Sequence, residues 1–313
     1  MQETRPKILI TEFMDDAAVA ALARDFDVHY DKSLVDRPDE LESLAAECRA
    51  VIVRNRTQVR GRLLESAKHL AVVGRLGVGL DNIDLAACEK RGIRVIPATG
   101  ANVVSVAEYV MAAMLMLARG CYGMSAQVAS GAWPREKMFG GELYGHTLGL
   151  LGFGSIARAV AGRARAFDMQ IAAYDPYLSQ DDPAWEQWGV APLPLEDVLA
   201  SADFLSIHVP LTDGTRHLVS AERLALMKPI AFLVNTSRGG VVDDTALAGA
   251  LTEGRLKGAM LDVFEEEPLS AGAPIAQAPN CLFTAHIAGV TNESNTRVSA
   301  LIAERVAECL RKS

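Results

Sequence analysis

A glycine-rich turn, GFGSIA at 152–157, is the part of the sequence with the clearest chemical meaning. The apolar run TLGLL leads into this turn. Apolar residues at helical spacing follow it and are predicted to face the sheet from one helix, namely Ile156, Val160, Ala164 and Phe167. Gly152 permits a tight turn between strand and helix, and Gly154 lets a pyrophosphate approach the backbone at the helix amino terminus. The turn fits the dinucleotide-binding pattern, with alanine as its third small residue. The residues predicted to contact a dinucleotide here are Gly152, Gly154, Ser155 and Ile156.

An acidic residue stands where the following strand is predicted to end. Asp175 comes directly after IAAY at 171–174 and lies 23 residues beyond Gly152. A carboxylate in this place accepts hydrogen bonds from both hydroxyls of the adenosine ribose and repels a 2'-phosphate. A glycine triplet alone is often only a turn, but here strand, helix and acid occur in the required order. We therefore predict a site for NAD rather than NADP.

Short apolar runs alternate with helical patterns along the chain. They lie at 7–10, 50–53, 70–76, 94–98, 147–151, 171–175, 204–209, 231–236, 257–263 and 281–286. Strands separated by helices form parallel, doubly wound sheets. A long apolar helix is predicted from about 101 to 118, followed by a surface loop at 130–147. Because 313 residues exceed one compact core, the pattern predicts two α/β domains.

Composition narrows the class of protein. The chain has 31 Lys and Arg against 39 Asp and Glu, a net charge of −8, and no basic stripe that would bind nucleic acid. Its five cysteines are scattered and never spaced as CxxC, which indicates reduced thiols, no metal site and a cytoplasmic protein. The amino-terminal residues lack a long apolar signal segment, and the most apolar segment, 103–118, is too short to span a bilayer. A soluble enzyme with no nucleic-acid or membrane partner is expected.

Seven blocks occur in an order typical of one enzyme family. They are VRNRTQV at 53–59, VVGRLGVGLDNID at 72–84, TGANVVSVAEYVMAAMLMLARG at 99–120, GHTLGLLGFGSIA at 145–157, NTSRGGVVD at 235–243, LDVFEEEP at 261–268 and TAHIAG at 284–289. In these blocks the chain resembles the D-isomer-specific 2-hydroxyacid dehydrogenases, particularly their phosphoglycerate and sulfolactate dehydrogenase-like branch. The resemblance implies a Rossmann NAD-binding domain at 99–287, inserted into a flavodoxin-like substrate domain formed by 1–98 and 288–313.

The resemblance also implies three catalytic residues, namely Arg238, Glu267 and His286. Reduction of a keto carbon needs a general acid for the developing alkoxide, and histidine suits that task. A carboxylate beside the imidazole fixes its orientation and favours its protonated form. The arginine fork binds the substrate carboxylate and polarises the adjacent carbonyl. Glu267 belongs to an acidic run that would ordinarily be a solvated turn, and Glu266 is the fallback.

Further contacts follow from the same resemblance. The cofactor-binding residues that it adds to Asp175 and the glycine-rich turn are His208, Val209, Pro210, Thr236 and Asp262. The substrate-binding residues are Arg54, Arg75, Gly77, Val78 and Gly79. Arg135 matches a position that can reach a neighbouring subunit's site, so a homodimer is implied.

Arginine residues in the amino-terminal part of the chain predict the charge of the substrate. Arg54, Arg56 and Arg75 follow apolar strands of an acidic chain, and they suggest a second anionic group on a small 2-hydroxy or 2-keto acid. Arg56 could equally form a surface ion pair. The chain ends directly after its last predicted helix, so feedback through a carboxy-terminal regulatory extension is not expected. Sulfolactate, 3-phosphoglycerate and hydroxypyruvate or glyoxylate all remain open.

Two rivals follow from the same resemblance. An NAD-sensing binding protein, like the corepressors of the family, is the alternative from another class. Formate dehydrogenase is an enzymatic rival, but it requires glutamine where Glu267 stands.

Overall fold

The computed structural model describes residues 5–312. The chain divides into two compact units. One contains the residues up to Asn102 together with those from Val290 onward, and the other runs from Val103 to Gly289. The second unit is therefore inserted into the sequence of the first.

The first unit is built on parallel strands. Within residues 5–312 its sheet has five strands in the order β2-β1-β3-β4-β5. The strands are β1 (Lys7–Ile10), β2 (Asp27–Tyr30), β3 (Ala50–Val53), β4 (Val72–Arg75) and β5 (Arg94–Pro97). The helices are α1 (Asp16–Ala23), α2 (Pro38–Ala45), α3 (Arg62–Ser66), α4 (Leu85–Lys90) and α12 (Asn292–Arg311). The last helix, from the carboxy-terminal part of the chain, packs over β4.

Alternation along the strands gives this sheet two buried faces. Ile8 and Ile10 belong to a core cluster that includes residues of α12, whereas Leu9 belongs to a cluster that includes Leu41 of α2. Successive side chains of a strand point to opposite faces, so one apolar run supplies both cores. Each fully buried Leu or Ile contributes about 1.5–3 kcal/mol relative to exposure.

The second unit, all of whose residues are described, has a seven-stranded parallel sheet in the order β12-β11-β10-β9-β6-β7-β8. Its strands are β6 (Thr147–Leu151), β7 (Gln170–Tyr174), β8 (Ala191–Pro192), β9 (Phe204–Ile207), β10 (Phe232–Asn235), β11 (Gly258–Leu261) and β12 (Cys281–Phe283). Its helices are α5 (Val103–Arg119), α6 (Ser125–Ala129), α7 (Ser155–Arg165), α8 (Pro183–Trp188), α9 (Leu195–Ser201), α10 (Ala221–Leu224) and α11 (Asp244–Thr252). From β6 the chain adds β7 and β8 on one side of the sheet, and it then crosses to add β9 to β12 on the other side. Open α/β sheets bind ligands where the strand order reverses in this way.

The predicted class of two doubly wound parallel sheets is confirmed. Every predicted strand is present, but β2 and β8 were not predicted. Both lie at a sheet edge, and β2 is only half-buried with a polar DVHY sequence. Phe167, which was expected to face the sheet from α7, lies beyond the end of that helix and is 40% exposed.

The helices were also tested for the length and apolarity that a membrane span requires. Among the described residues, no single helix meets both criteria. The bent pair Val103–Arg119 and Tyr122–Ala129 meets them together, by length and composition alone.

Candidate active site

Three neighbouring strands of the second unit end at the same level. In the register of the sheet, Leu261 at the end of β11 pairs with Asn235 of β10 and with Phe283 of β12. The segments that follow these strands carry the three predicted catalytic residues. Arg238 follows β10, Glu267 follows β11 and His286 follows β12.

His286 and Glu267 are in direct contact. The Nδ1 atom of His286 lies 2.9 Å from Oε2 of Glu267, and both side chains are partly exposed. A carboxylate only accepts hydrogen bonds, so Nδ1 carries the hydrogen and Nε2 can exchange a proton with a ligand. The other carboxylate oxygen, Oε1, accepts a hydrogen bond of 3.2 Å from the backbone N–H of Phe264. The loop after β11 therefore holds its own carboxylate in place against the imidazole.

The backbone of His286 adopts a left-handed conformation with φ of +55°. Such a conformation costs a residue other than glycine about 1–3 kcal/mol, and it persists only where the surroundings fix it. Here the N–H of His286 donates to the carbonyl of Asp262 at 2.8 Å. The carboxylate of Asp262 accepts from the N–H groups of Ile287 and Ala288, both at 2.8 Å. Buried Asp262 thus anchors the chain around His286.

The loop of Arg238 is shaped by a buried amide. Asn235 is 1% exposed. Its Oδ1 accepts from the N–H of Ser237 at 3.0 Å, and its Nδ2 donates to the carbonyl of Arg238 at 3.1 Å. The guanidinium of Arg238 donates to the carbonyl of Ser237. Sequence analysis did not single out Asn235, although a polar residue that ends a buried strand is a usable signal.

Gly239 brings the loop of Arg238 against the loop that carries Glu267. A Cβ atom at Gly239 would stand 1.7 Å from the carbonyl oxygen of Phe264 and 2.1 Å from its carbonyl carbon. Because these are backbone atoms, no rotamer change would relieve the contact. Only glycine lets the two loops approach this closely.

The glutamates of the acidic run at 265–267 make different contacts. Glu265 accepts from the N–H of Asp244 and contacts Nε2 of His217, both at 3.1 Å. Glu267 instead contacts His286. This geometry favours Glu267 over its neighbours as the partner of the imidazole.

The glycine-rich turn lies between β6 and α7. Gly152 has φ of +86°, and a Cβ there would stand 2.8 Å from the carbonyl oxygen of His208. At Gly154, the amino-terminal cap of α7, a Cβ would meet open space within 4 Å. No side chain caps α7, so Ser155 and Ile156 begin a helix whose first N–H groups are available to an anion.

Asp175 and His208 flank this turn. The carboxylate of Asp175 accepts from the N–H groups of Phe153 at 2.8 Å and Tyr177 at 2.9 Å. One donor on each oxygen leaves acceptor capacity for ribose hydroxyls. Burial lowers the pKa of His208 to about 4, so this imidazole is neutral at physiological pH, and its Nε2 lies 2.9 Å from the hydroxyl of Ser206. Val209 and Pro210 follow it at the same end of β9.

A dinucleotide fits these residues. The hydroxyl of Thr236, just after β10, is buried and has no hydrogen-bond partner within the described chain. Buried polar atoms are normally paired, so this one indicates a ligand. Together with the open space at Gly154 and the uncapped helix, it supports a dinucleotide that runs from Asp175 toward Thr236.

In the first unit, Arg54 follows β3. Its Nη2 donates to Oδ1 of Asn295 at 2.6 Å, and its guanidinium lies 5.9 Å from the ring centre of Phe13. Burial lowers the pKa of Arg54, but an arginine remains charged. The nearby Glu12 carboxylate attracts the guanidinium and partly opposes this lowering of the pKa.

Glu12 fixes the backbone beside Arg54. This carboxylate is 5% exposed. It accepts hydrogen bonds from the N–H groups of Arg54, Arg56 and Thr57 at 2.9–3.1 Å. Sequence analysis missed Glu12, because 42 residues separate it from Arg54 and no local pattern links them.

Arg56 is placed differently from Arg54. Its guanidinium forms an ion pair with Asp36, and both side chains are more than half exposed. The structure therefore favours the surface ion-pair interpretation of Arg56. Arg75 ends β4, and a Cβ on Gly77 would overlap its Nη1. Val78 and Gly79 continue this loop.

Comparison with known proteins defines the family. The sequence profile described as D-isomer specific 2-hydroxyacid dehydrogenase, NAD binding domain, matches residues 111–288. (S)-sulfolactate dehydrogenase from Chromohalobacter salexigens is 52% identical over 303 residues, which cover 97% of this chain and 98% of that protein. D-3-phosphoglycerate dehydrogenase from Methanocaldococcus jannaschii is 39% identical over 306 residues, 97% of this chain but 57% of that protein. The chain thus spans little more than half of this longer relative.

Solved structures agree with this result. The crystal structure of a protein from Thermus thermophilus has a TM-score of 0.89 and 34% identity, and the match covers 98% of this chain and 97% of that one. A glyoxylate reductase from Paecilomyes thermophila has a TM-score of 0.86 and 26% identity, with 98% and 96% coverage.

The chain belongs to the D-isomer specific 2-hydroxyacid dehydrogenase family. It is an NAD-dependent oxidoreductase that acts on a small 2-hydroxy or 2-keto acid. The two dehydrogenases and the glyoxylate reductase named above are enzymes, which favours this function over an NAD-sensing binding protein.

Replacement of Asp175 by asparagine tests its predicted role at the ribose. Asparagine keeps an acceptor oxygen for one of the two adjacent N–H groups and removes the charge that repels a 2'-phosphate. A charge pair near 4 Å is worth about 1–4 kcal/mol at or near a surface, so the NAD to NADP ratio of kcat/KM should fall about tenfold or more. An unchanged ratio would mean that Asp175 does not determine the preference for NAD over NADP.

Proposed function

We propose that the enzyme interconverts sulfolactate and the corresponding 2-keto acid, 3-sulfopyruvate, with NAD(H). The catalytic assignment depends on one observation, the 2.9 Å contact between His286 and Glu267 beside the loop of Arg238. The choice of substrate is supported by 52% identity to an (S)-sulfolactate dehydrogenase over nearly the full length of both chains.

Each catalytic residue has one task in this proposal. When bound, NAD would supply the hydride acceptor for C2 of the substrate, and NADH would supply the hydride in the reverse direction. His286 takes the hydroxyl proton at Nε2 during oxidation and gives it back during reduction. Glu267 accepts the hydrogen bond from Nδ1 and so fixes the orientation of the imidazole, which leaves Nε2 to exchange the proton. Arg238 binds the substrate carboxylate and polarises the oxygen on C2.

In this proposal residues 103–289 bind NAD and carry the acid–base pair. The residues assigned to the distal group and the carboxylate of the substrate belong to the first unit. Arg54 and Arg75 bind the distal sulfonate, and the N–H groups at Gly77, Val78 and Gly79 contact the carboxylate. Arg54 suits an anion because its guanidinium contacts a neutral amide and an aromatic ring, while the nearby Glu12 carboxylate accepts from backbone N–H groups.

The family's stereochemical label and the relative's name agree. In lactate the carboxylate outranks the methyl group, whereas in sulfolactate the sulfur-bearing carbon outranks the carboxylate. The same spatial arrangement at C2 is therefore named R in D-lactate and S in sulfolactate. An (S)-sulfolactate dehydrogenase thus presents the D-type face of C2, and we propose the same face here.

A matched pair of variants tests the distal subsite. Arg54→Gln should lower kcat/KM for (S)-sulfolactate by about 30-fold or more, because loss of one partner from a partly buried charge pair costs about 2–5 kcal/mol. Its effect on D-lactate, which has no distal anion, should be severalfold smaller. Arg56→Gln removes an equal charge two residues away and should leave both constants unchanged, since Arg56 is paired with Asp36.

The same assay separates the possible substrates. We expect the wild-type enzyme to favour the sulfonate over 3-phospho-D-glycerate, D-glycerate, D-lactate and glycolate. Equal kcat/KM for the sulfonate and methyl substrates, or equal effects of the two arginine variants, would contradict the proposed subsite. A preference for 3-phospho-D-glycerate would support the proposed subsite for a distal anion, but it would show that sulfolactate is not the preferred substrate.

We also propose that the enzyme is a homodimer in the cytoplasm. The segment 120–146, which contains the short helix α6, exposes Tyr122, Trp133, Phe139 and Tyr144, each at least 60%. Exposed aromatic side chains gathered in one segment are typical of an interaction surface. None of the five cysteines, all within residues 5–312, forms a disulfide in the described chain, which supports a reducing compartment.

Light scattering tests the dimer. The wild type should have twice the 33.5 kDa mass of one chain, whereas the double variant Trp133→Ser, Phe139→Ser should be monomeric at micromolar concentration. The matched control is Tyr177→Ser, which removes an even more exposed aromatic ring outside this segment. A monomeric wild type, or a dimeric double variant, would contradict the assignment of this surface.

A further inference from the structure

The long helix α5 is connected to the loop of His286 by a chain of hydrogen bonds. Thr284 donates its hydroxyl to Oδ1 of Asp262. Since that hydroxyl hydrogen is used, the contact between Tyr109 and Thr284 has the Tyr109 hydroxyl as donor and Thr284 Oγ1 as acceptor. Tyr109 lies on α5, 175 residues before Thr284.

Asp262 is buried, and most hydrogen-bond acceptor sites of its carboxylate are occupied. It is 1% exposed, and its carboxylate accepts from the hydroxyl of Thr284 and from the N–H groups of Ile287 and Ala288. Its backbone carbonyl accepts from the N–H of His286. Three of the roughly four acceptor sites of this carboxylate are thus occupied by Thr284, Ile287 and Ala288, which lie on either side of His286 in the sequence. At most about one remains for the cofactor contact that sequence analysis assigned to Asp262.

We propose that Tyr109, acting through Thr284 and Asp262, positions the imidazole of His286 for proton transfer. The left-handed backbone at His286 would relax if its anchors were loosened, because a residue with a side chain ordinarily avoids that conformation. Relaxation would turn Nε2 away from the substrate oxygen, and a misplacement of about 1 Å can cost about 100-fold in rate. Burial raises the pKa of Tyr109, so its hydroxyl remains a donor throughout the working pH range. This inference rests on the proposed role of His286.

Four variants test the connection. Thr284→Val removes the hydroxyl at nearly constant volume and should lower kcat about 10- to 100-fold, the usual range for a residue that orients a functional ligand. Thr284→Ser keeps the hydroxyl and should restore kcat to within about twofold of the wild type. Tyr109→Phe should lower kcat by severalfold. Because Tyr109 acts through Thr284, adding Tyr109→Phe to Thr284→Val should cause no further loss.

Two measurements distinguish positioning from general destabilisation. The KM for substrate and the Kd for NADH, measured by fluorescence, should stay within about twofold of the wild type while kcat falls. In the free enzyme, the NMR signal of the His286 ring should shift in Thr284→Val and Tyr109→Phe but not in Thr284→Ser. A merely structural role would lower Tm without moving that signal in the folded protein.

The His286→Ala variant, assayed alongside, distinguishes failure of the positioning proposal from failure of the proposed function. If His286→Ala abolishes turnover while Thr284→Val and Tyr109→Phe keep the wild-type kcat, the positioning proposal fails and the proposed function stands. Multiplicative losses in the double variant would also overturn it. If His286→Ala itself retains full turnover, the proposed function fails. Should Thr284→Val not fold, Tyr109→Phe and its NMR signal decide the outcome alone.

Discussion

Replacing His286 by alanine is expected to lower kcat by about 10²- to 10⁴-fold, the usual contribution of a general acid or base. Methyl cannot exchange a proton, and Glu267 then faces no imidazole. The Kd for NADH should remain nearly unchanged, because the residues assigned to the dinucleotide follow other strands. Steady-state assays in both directions and fluorescence titration with NADH measure the two effects.

The matched control is His69→Ala. His69 is exposed in the first unit, so its replacement should leave kcat and the Kd unchanged. Wild-type turnover in His286→Ala would refute the acid–base assignment. A large loss of NADH affinity would show instead that the imidazole acts mainly in cofactor binding.

Replacing Arg238 by glutamine should reduce kcat/KM by about 30- to 5,000-fold, from the roughly 2–5 kcal/mol lost when one partner of a buried charged hydrogen bond is removed. Both KM and kcat should suffer, because the guanidinium binds the substrate carboxylate and also polarises the oxygen on C2. Arg238→Lys should recover only part of the loss, since an ammonium lacks the planar fork.

Arg255→Gln is the control for Arg238. It removes one positive charge from the same unit, at an exposed site paired with Glu253, and should have no kinetic effect. If Arg238→Gln raised only the KM for NAD, the arginine would belong to the cofactor site. If it changed nothing, the proposed substrate orientation would be wrong.

The strands could be predicted because parallel strands in a doubly wound sheet are buried on both faces and appear as continuous apolar runs. AVIV at 50–53 and TLGLL at 147–151 match observed strands residue for residue. The edge strand Asp27–Tyr30 has no such signature, because one side of it faces solvent. Phe167 was misplaced because apolar spacing continues past the residue at which α7 ends.

The site was only partly accessible from the sequence. The glycine-rich turn and Asp175 follow from local chemistry, but Arg238, Glu267 and His286 came from resemblance to a family. The residues that hold them in place are far apart in sequence, as Tyr109 and Thr284 show. Such contacts leave no local pattern, since a buried acceptor such as Asp262 is recognised only when its donors are known.

A crystal structure of the enzyme with NADH and oxamate, an unreactive analogue of a 2-keto acid, tests the central claim most directly. We expect Nε2 of His286 about 2.6–3.2 Å from the analogue's oxygen on C2, with the Arg238 fork on its carboxylate and the nicotinamide C4 facing C2. Coordinates in which oxamate binds beside the nicotinamide but contacts neither His286 nor Arg238 would contradict the proposed mechanism.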